Sequence, residues 1–238
     1  MAMKSYTLLQ LSDSHLSATA DAELKGINTT YSLRAVAELV AADPRVYDAL
    51  IATGDLSQDG SEESYRRFLA LARVALAPAD STALPIRWLA GNHDDPDAMR
   101  RVEEAEQLAA VADSEQGGMG EPVVLGPWLV VMLDSRVAGE PYGELGARQL
   151  GELRGLLSQL SAAAGAASAP TLEAPPMQPR YVLVCVHHNP LPTGARWMQD
   201  IGLRDGAELL STLQQFDCAR AVVHGHIHHQ FARAVGRD

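Results

Sequence analysis

The sequence has few cysteines, few aromatic residues and few basic residues. Its two cysteines, Cys185 and Cys218, are too few for a disulfide scaffold, and their apolar surroundings predict buried free thiols. The chain has 30 aspartates and glutamates but only 19 lysines and arginines, which gives a formal net charge of -11. A nucleic-acid-binding surface is basic, so this charge argues against one. Aromatic residues make up only 5% of the chain, which does not favour a tight pocket that stacks a nucleobase.

Long apolar runs are also lacking. No run approaches the length needed to cross a membrane, and the start, MAMKSYTLLQLS, lacks the basic segment, apolar stretch and cleavage site of a secretory signal. We therefore predict a cytoplasmic protein with no membrane partner and no long nucleic acid as substrate. A small anionic substrate is compatible with the acidic charge, because bound cations reverse the sign of the local field.

Short apolar runs alternate with segments of helical spacing. The strand-sized runs span residues 6–11, 49–52, 86–90, 128–133, 181–186 and 219–223, and helical spacing covers 31–41, 62–77, 146–160 and 205–216. This alternation predicts a layered α/β fold. The 238 residues, 47% of them hydrophobic, fit one domain over 1–238. Residues 158–179, rich in Ala, Pro and Ser, are expected to form a flexible surface insertion.

Nearly every apolar run ends in a polar cluster. The clusters read SDSH, TGDLSQD, GNHDD, DSR, HHNP and HGHIHH, and seven of the eight histidines lie in three of them, the eighth being His15. Open α/β sheets bind ligands beyond the carboxyl ends of their strands. A single histidine or Gly-Asp pair occurs by chance in many proteins. Chance does not explain why Asp, His and Asn recur together at the ends of the predicted strands while the strands themselves are apolar.

The residue types in these clusters indicate a metal centre. Imidazole and carboxylate together suit Zn, Fe, Mn, Co or Ni, whereas a site for Mg or Ca alone would be built from oxygen ligands. The absence of a thiolate cluster argues against a structural zinc site. The clusters offer about seven ligands and a catalytic metal takes about three, so two metals with one bridging carboxylate are predicted. Two such cations, roughly 3.5–4 Å apart, can hold a hydroxide between them that attacks a phosphorus ester in line.

Taken in order, the motifs resemble those of the calcineurin-like metallophosphoesterases. The signature of that superfamily is Asp-x-His, Gly-Asp, Gly-Asn-His-Asp/Glu, His and Gly-His-x-His, and every block is present in this order between Leu8 and Gln230. The resemblance implies an α/β fold with two mixed β-sheets packed as a sandwich and flanked by helices. It also implies a binuclear metal centre.

Carried over by position, the resemblance implies a set of metal ligands and a catalytic pair. The implied ligands are Asp13, His15 and His228 for the first metal, Asp55 as the bridge, and Asn92, His187 and His226 for the second. His93 is expected to stabilise the transition state or to protonate the leaving oxygen, oriented by Asp94. His188 is expected to face the substrate beside the ligand His187, although these two roles can be exchanged.

Further stretches resemble the bacterial 3',5'-cyclic-AMP phosphodiesterases of this superfamily. They are GINTTYSL, TGDLSQDGSEESYRRF, LDSRVAGEPYGEL and HHNPLPTGARWMQDIGLRDGAEL. The resemblance implies hydrolysis of 3',5'-cyclic AMP to 5'-AMP. A broad phosphodiesterase acting on 2',3'-cyclic nucleotides or glycerophosphodiesters is the alternative, and a non-catalytic metal-binding scaffold is a third reading. Candidate substrate contacts are Asn28, Trp197, Asp200 and Arg204, for which loop packing is an equal explanation.

The chain ends at Asp238, eight residues after Gln230, whereas relatives continue with further strands. Two explanations are open: a truncated chain, or a natural short form whose sheet edge is exposed or covered by a partner subunit. A homodimer is therefore left open by the sequence.

Overall fold

A computed structural model describes residues 4–76, 84–106, 122–166, 178–198 and 200–236, without the side chains of 164–166. The chain divides into two compact units, residues 1–111 and 112–238. Each unit has its own sheet and its own cluster of buried apolar side chains. One domain over residues 1–238 stays a prediction.

The first unit contains a parallel sheet and three helices within its described part. Its elements are β1 (Leu8–Leu11), β2 (Glu23–Leu24), β3 (Ile27–Asn28), α1 (Thr29–Ala41), β4 (Ala49–Thr53), α2 (Glu62–Leu76), β5 (Ile86–Leu89) and α3 (Pro96–Glu106). The sheet has the order β1-β4-β5 with both pairs parallel, and β2 and β3 form a separate antiparallel pair. The parallel arrangement brings the carboxyl ends of β1, β4 and β5 to one edge.

The core of the first unit lies between this sheet and its helices. All five residues of β4 are buried, as a parallel central strand requires. Phe68 and Tyr65, both on α2, pack against Trp88 of β5 with ring centroids 6.2 and 6.0 Å away. These three large side chains are fully buried, so α2 fixes the position of the polar loops that follow β4 and β5.

The second unit contains a mixed sheet and two α-helices within its described part. Its elements are β6 (Val123–Leu125), β7 (Trp128–Met132), α4 (Gly146–Ala166), β8 (Tyr181–Val186), a 3-10 turn (Arg196–Met198), α5 (Gly206–Gln214) and β9 (Ala219–His224). The order is β6-β7-β8-β9, in which only the β6–β7 pair is antiparallel. The carboxyl ends of β7, β8 and β9 therefore share one edge.

The predicted α/β class is confirmed, and each of the six predicted strands is present. The sheet of the second unit is mixed as expected, while the described sheet of the first unit is parallel throughout. The strands that the sequence analysis did not identify are β2, β3 and β6, which have only two or three residues. The missed helix, α3, is highly charged, and it begins at Pro96 behind the side-chain cap of Asp95.

The predicted insertion at 158–179 overlaps a helix. Helix α4 continues to Ala166, six residues beyond the predicted end at Leu160, because alanine has the highest helix propensity and no proline occurs between Gly146 and Pro170. Residues 167–177 of the predicted insertion lie outside the described residues. Among the helices that are described, none has both the length and the apolar character needed to cross a membrane. Cys185 and Cys218 are both buried and free, as predicted.

Candidate metal centre

In the first unit, the loops after β1 and β4 run side by side and bring predicted ligands together. The backbone N–H of Asp13 donates to the carbonyl of Gly54 at 3.0 Å, and that of His15 donates to the carbonyl of Asp55 at 2.9 Å. One ligand atom from each of Asp13, His15 and Asp55 lies within 4.8 Å of the others. His15 and Asp55 are buried, so this cluster places two carboxylates and an imidazole in a site with little access to water.

The backbone is strained at the predicted ligands. Six described residues other than glycine have positive φ, and five of them are predicted metal ligands: Asp13, His15, Asp55, His226 and His228. The left-handed region costs about 1 kcal/mol or more for such residues, and strain of this kind concentrates at functional sites. The sixth, Lys25, precedes Gly26 in the turn between β2 and β3. The strain supports a functional role for these loops.

The loop after β5 closes on Asp55. The backbone N–H of His93 donates to Oδ1 of Asp55 at 2.9 Å, and a Cβ atom at Gly91 would lie 2.2 Å from the same oxygen. Glycine is therefore required for this approach. Asn92 is half-buried in the turn between Gly91 and His93, and the ring of His93 is exposed beside His15, with ring centroids 5.0 Å apart.

The carboxylate of Asp94, which the motif pattern assigns to orienting His93, is bound by groups of the neighbouring loops and of α2. Its carboxylate accepts hydrogen bonds from the backbone N–H groups of Leu56, Ser57 and Gly91 at 3.2, 2.9 and 2.8 Å. It also accepts one from the hydroxyl of Tyr65 at 3.2 Å. Burial raises the pKa of Tyr65, so this hydroxyl keeps its proton and can donate it. Asp94 is buried whereas the adjacent His93 is exposed, so the two side chains face different ways and Asp94 supports the loop after β4.

The second unit holds a cluster of three histidines. His187 and His188 directly follow β8, His226 follows β9, and one ring nitrogen from each lies within 4.8 Å of the other two. All three are buried. Nε2 of His226 lies 2.8 Å from the carbonyl of Ile201, and since a carbonyl only accepts, the proton is on Nε2. In its neutral form the ring then carries its lone pair on Nδ1, as a metal ligand with an outer partner does.

Ser135, which lies in the DSR cluster but is not among the predicted site residues, contacts this histidine cluster. Its hydroxyl lies 2.7 Å from Nδ1 of His188. Both His187 and His188 belong to the cluster, so their exchange stays open. His228 follows the buried Ile227 in the sequence and is exposed, and its ligand role stays a prediction.

The four candidate substrate residues have different environments. Asn28 caps α1: its Oδ1 accepts from the N–H of Tyr31 at 2.7 Å and its Nδ2 donates to the carbonyl of Ala20 at 3.1 Å, so the side chain is used locally. Trp197 is 62% exposed in the 3-10 turn, and Asp200 is exposed after it. The guanidinium of Arg204 lies over the ring of Tyr142, 3.2 Å from its centroid. A substrate role for these residues stays a prediction.

Comparison with known proteins identifies the family. The model of the calcineurin-like phosphoesterase family matches residues 6–230, and the chain belongs to this family. Its sequence is 39% identical to a 3',5'-cyclic adenosine monophosphate phosphodiesterase, CpdA, from Pseudomonas aeruginosa, over 98% of this chain and 73% of that protein. It is 34% identical to the CpdA of Escherichia coli, over 94% of this chain and 70% of that one.

A solved structure supports the fold. A dimetal phosphatase from Danio rerio aligns with a TM-score of 0.59 at 14% identity, covering 94% of this chain and 82% of that one. At this identity the likeness concerns the fold alone.

The family implies divalent metal ions, and the side chains of each unit fit them. Carboxylates with an imidazole in the first unit, and three imidazoles in the second, are the donors preferred by first-row transition metals. Both clusters lie at the carboxyl ends of parallel strands, where such sheets bind ligands.

Proposed function

We propose that this chain is a metal-dependent phosphodiesterase that hydrolyses 3',5'-cyclic AMP to 5'-AMP. The observation that carries the proposal is the 39% identity to the cyclic-AMP phosphodiesterase of P. aeruginosa over 98% of the chain. The reaction forms one bond between a water oxygen and phosphorus and breaks the bond between phosphorus and the 3' oxygen. The 3' oxygen then takes up a proton.

Two metal ions chosen from Fe, Mn, Zn and Co are the cofactors of this proposal. Motif order assigns Asp13, His15 and His228 to one ion, Asp55 to both, and Asn92, His187 and His226 to the other. When bound, the ions lower the pKa of water towards about 7 and neutralise the charge on the phosphate oxygens.

The protein side chains position the substrate and handle the proton. His93 is tied to Asp55 through its backbone, and its exposed ring is free to meet the phosphate or the leaving 3' oxygen and to donate a hydrogen bond or a proton. His188 is assigned to the side of the site that faces the substrate. Asn28, Trp197, Asp200 and Arg204 are proposed as outer substrate contacts, and Asn28 also caps α1.

A broader phosphodiesterase is the second candidate. Metal ions bind the phosphate oxygens of a substrate and do not contact its base. Aromatic residues make up only 5% of the chain, so few rings could stack on a base. This candidate would hydrolyse 2',3'-cyclic nucleotides or glycerophosphodiesters with similar efficiency.

A substrate panel tests the proposal. Protein loaded with Mn would be assayed on 3',5'-cyclic AMP, 2',3'-cyclic AMP, bis(p-nitrophenyl) phosphate and p-nitrophenyl phosphate, with EDTA and Asp55→Ala as controls. We expect EDTA-sensitive conversion of 3',5'-cyclic AMP to 5'-AMP with the highest kcat/KM of the four substrates. Equal or better hydrolysis of the other diesters would favour the broader enzyme. No turnover by metal-loaded protein would favour the scaffold.

We also propose a cytoplasmic location and leave a homodimer to measurement. The two free, buried cysteines fit a reducing compartment. Fractionation of expressing cells and light scattering after gel filtration test the location and the assembly.

A further inference from the structure

We propose that Gln58 is a positioning residue for His93. The inference rests on the proposed function, in which the ring of His93 donates to the phosphate or the leaving oxygen. Nε2 of Gln58 lies 3.3 Å from Nδ1 of His93. Within the described part of the chain, this is the hydrogen bond that the ring makes, and it occupies the place that the motif pattern assigned to Asp94.

The backbone of Gln58 is fixed from two sides. Its N–H donates to the carbonyl of Leu16 at 2.7 Å, continuing the parallel pairing of the loops after β1 and β4. The preceding residue, Ser57, donates its N–H to Asp94 at 2.9 Å. The backbone from which the side chain of Gln58 extends is therefore held in place. Asp94 then acts on His93 indirectly, because it binds the segment that carries Gln58.

The backbone of His93 is fixed as well, by its hydrogen bond to Asp55 at 2.9 Å. What remains free is the rotation of the ring about its two side-chain torsions. The ring of His93 contacts that of His15 edge to face, at an interplanar angle of 81°. We expect a polar partner to restrain the remaining rotation of the ring about its outer side-chain torsion. The amide of Gln58 supplies that partner.

An amide suits this task because it can present either a donor or an acceptor. Nδ1 can accept from the amide N–H or, after rotation of the amide, donate to its oxygen. In both arrangements Gln58 occupies Nδ1, so Nε2 is the ring nitrogen directed to the substrate. A misplacement of about 1 Å at such a group can lower the rate roughly 100-fold.

A double-mutant cycle tests the inference. We would measure kcat and KM on 3',5'-cyclic AMP, bound metal and the thermal midpoint for wild type, Gln58→Ala, His93→Ala and the double variant. We expect Gln58→Ala to lower kcat roughly 10-fold to 100-fold with KM and bound metal nearly unchanged. In the His93→Ala background the same change should alter kcat less than about twofold, because the two residues act as a unit.

Two further variants sharpen the comparison. Gln58→Glu keeps the length and an acceptor for the ring and should restore part of the lost kcat. Gln215→Ala removes the exposed glutamine that caps the C-terminus of α5 and whose amide donates to the carbonyl of Ser211 at 3.1 Å, and it should leave kcat unchanged.

The outcomes separate this inference from the proposed function. An equal loss of kcat from Gln58→Ala in both backgrounds, a loss of bound metal, or no loss at all would overturn the positioning role while wild-type turnover upholds the function. If wild type turns over nothing, the proposed function fails. The contact is then decided by the ring-nitrogen NMR signals of His93, which Gln58→Ala must shift and Gln215→Ala must not.

Discussion

The hydroxyl group of Ser135 lies 2.7 Å from Nδ1 of His188, and both residues are fully buried. Ser135 follows the carboxyl end of β7 and His188 follows that of β8, so the parallel pairing of the two strands brings them together. Because Ser135 contacts Nδ1, we expect the second ring nitrogen of His188, Nε2, to be the one that meets a metal or the substrate. Ser135 thus determines which nitrogen of the ring can act.

Replacing Ser135 by alanine should impair the site without unfolding the protein. Loss of an outer partner of a metal-site histidine costs roughly 10-fold to 100-fold in metal affinity or activity, and we expect kcat/KM to fall by that amount. Bound metal, measured by mass spectrometry after dialysis, then distinguishes the exchangeable roles. A loss of metal makes His188 the ligand, whereas retained metal with lower turnover places it towards the substrate.

The control is Ser211→Ala on the exposed side of α5, which should change neither quantity. If Ser135→Ala has the same kcat/KM and the same metal content as wild type, the hydroxyl group has no role in the site.

Gly143 and Gly155 form a matched pair with opposite expected effects. A Cβ atom at Gly143 would lie 2.3 Å from Nδ1 of His188, so Gly143→Ala should destabilise the protein by about 1–3 kcal/mol and displace the ring. Gly155 lies exposed within α4 with nothing near its added Cβ, so Gly155→Ala should stabilise by about 0.5–1 kcal/mol. Urea unfolding of both variants checks the two signs, and destabilisation by Gly155→Ala would show that α4 is not helical there.

The sequence predicts the ligand types and their place because both follow from local pattern. Apolar runs mark the strands, and Asp13, Asp55 and His187 lie within two residues of the ends of β1, β4 and β8, where parallel strands end. The partners of these residues could not be predicted in the same way. Gln58 reaches His93 across 35 residues and Ser135 reaches His188 across 53, and such contacts depend on the pairing of loops rather than on spacing.

Asp94 illustrates the same limit. In the sequence it adjoins His93, which suggests a direct contact. The turn instead folds its carboxylate back onto the N–H of Gly91 at 2.8 Å and against Tyr65 of α2, a helix that ends well before β5 begins. Where the chain turns sharply, the fact that two residues are adjacent in the sequence does not show that their side chains point the same way.

Tyr65→Phe should lower stability while leaving the metal ligands in place. The hydroxyl donates to Asp94 and accepts the N–H of Asp95 at 2.7 Å, so its removal leaves a buried carboxylate short of a donor and an N–H short of an acceptor. We expect a loss of about 1–3 kcal/mol in the free energy of unfolding, measured with urea. Tyr31→Phe, at an exposed position of α1, is the matched control and should stay within about 0.5 kcal/mol of wild type. Equal stability of the two variants would argue against the network around Asp94.

Asp59 should make stability depend on pH in the acid range. Burial acts to raise the pKa of its carboxyl, but hydrogen bonds from the N–H of Ala18 and from Ser57 and Ser61 outweigh that effect and hold the pKa below the ordinary value of 3.8. A lowered folded-state pKa contributes stability that is complete above the unfolded value and is lost as the pH falls through the folded one. The stability difference between wild type and Asp59→Asn should therefore be constant from about pH 5 to pH 8 and shrink below about pH 4. Urea unfolding across this range measures it, with the exposed Asp21→Asn as a control of equal charge. A difference that grows as the pH falls would mean that the hydrogen bonds around Asp59 do not favour its ionised form.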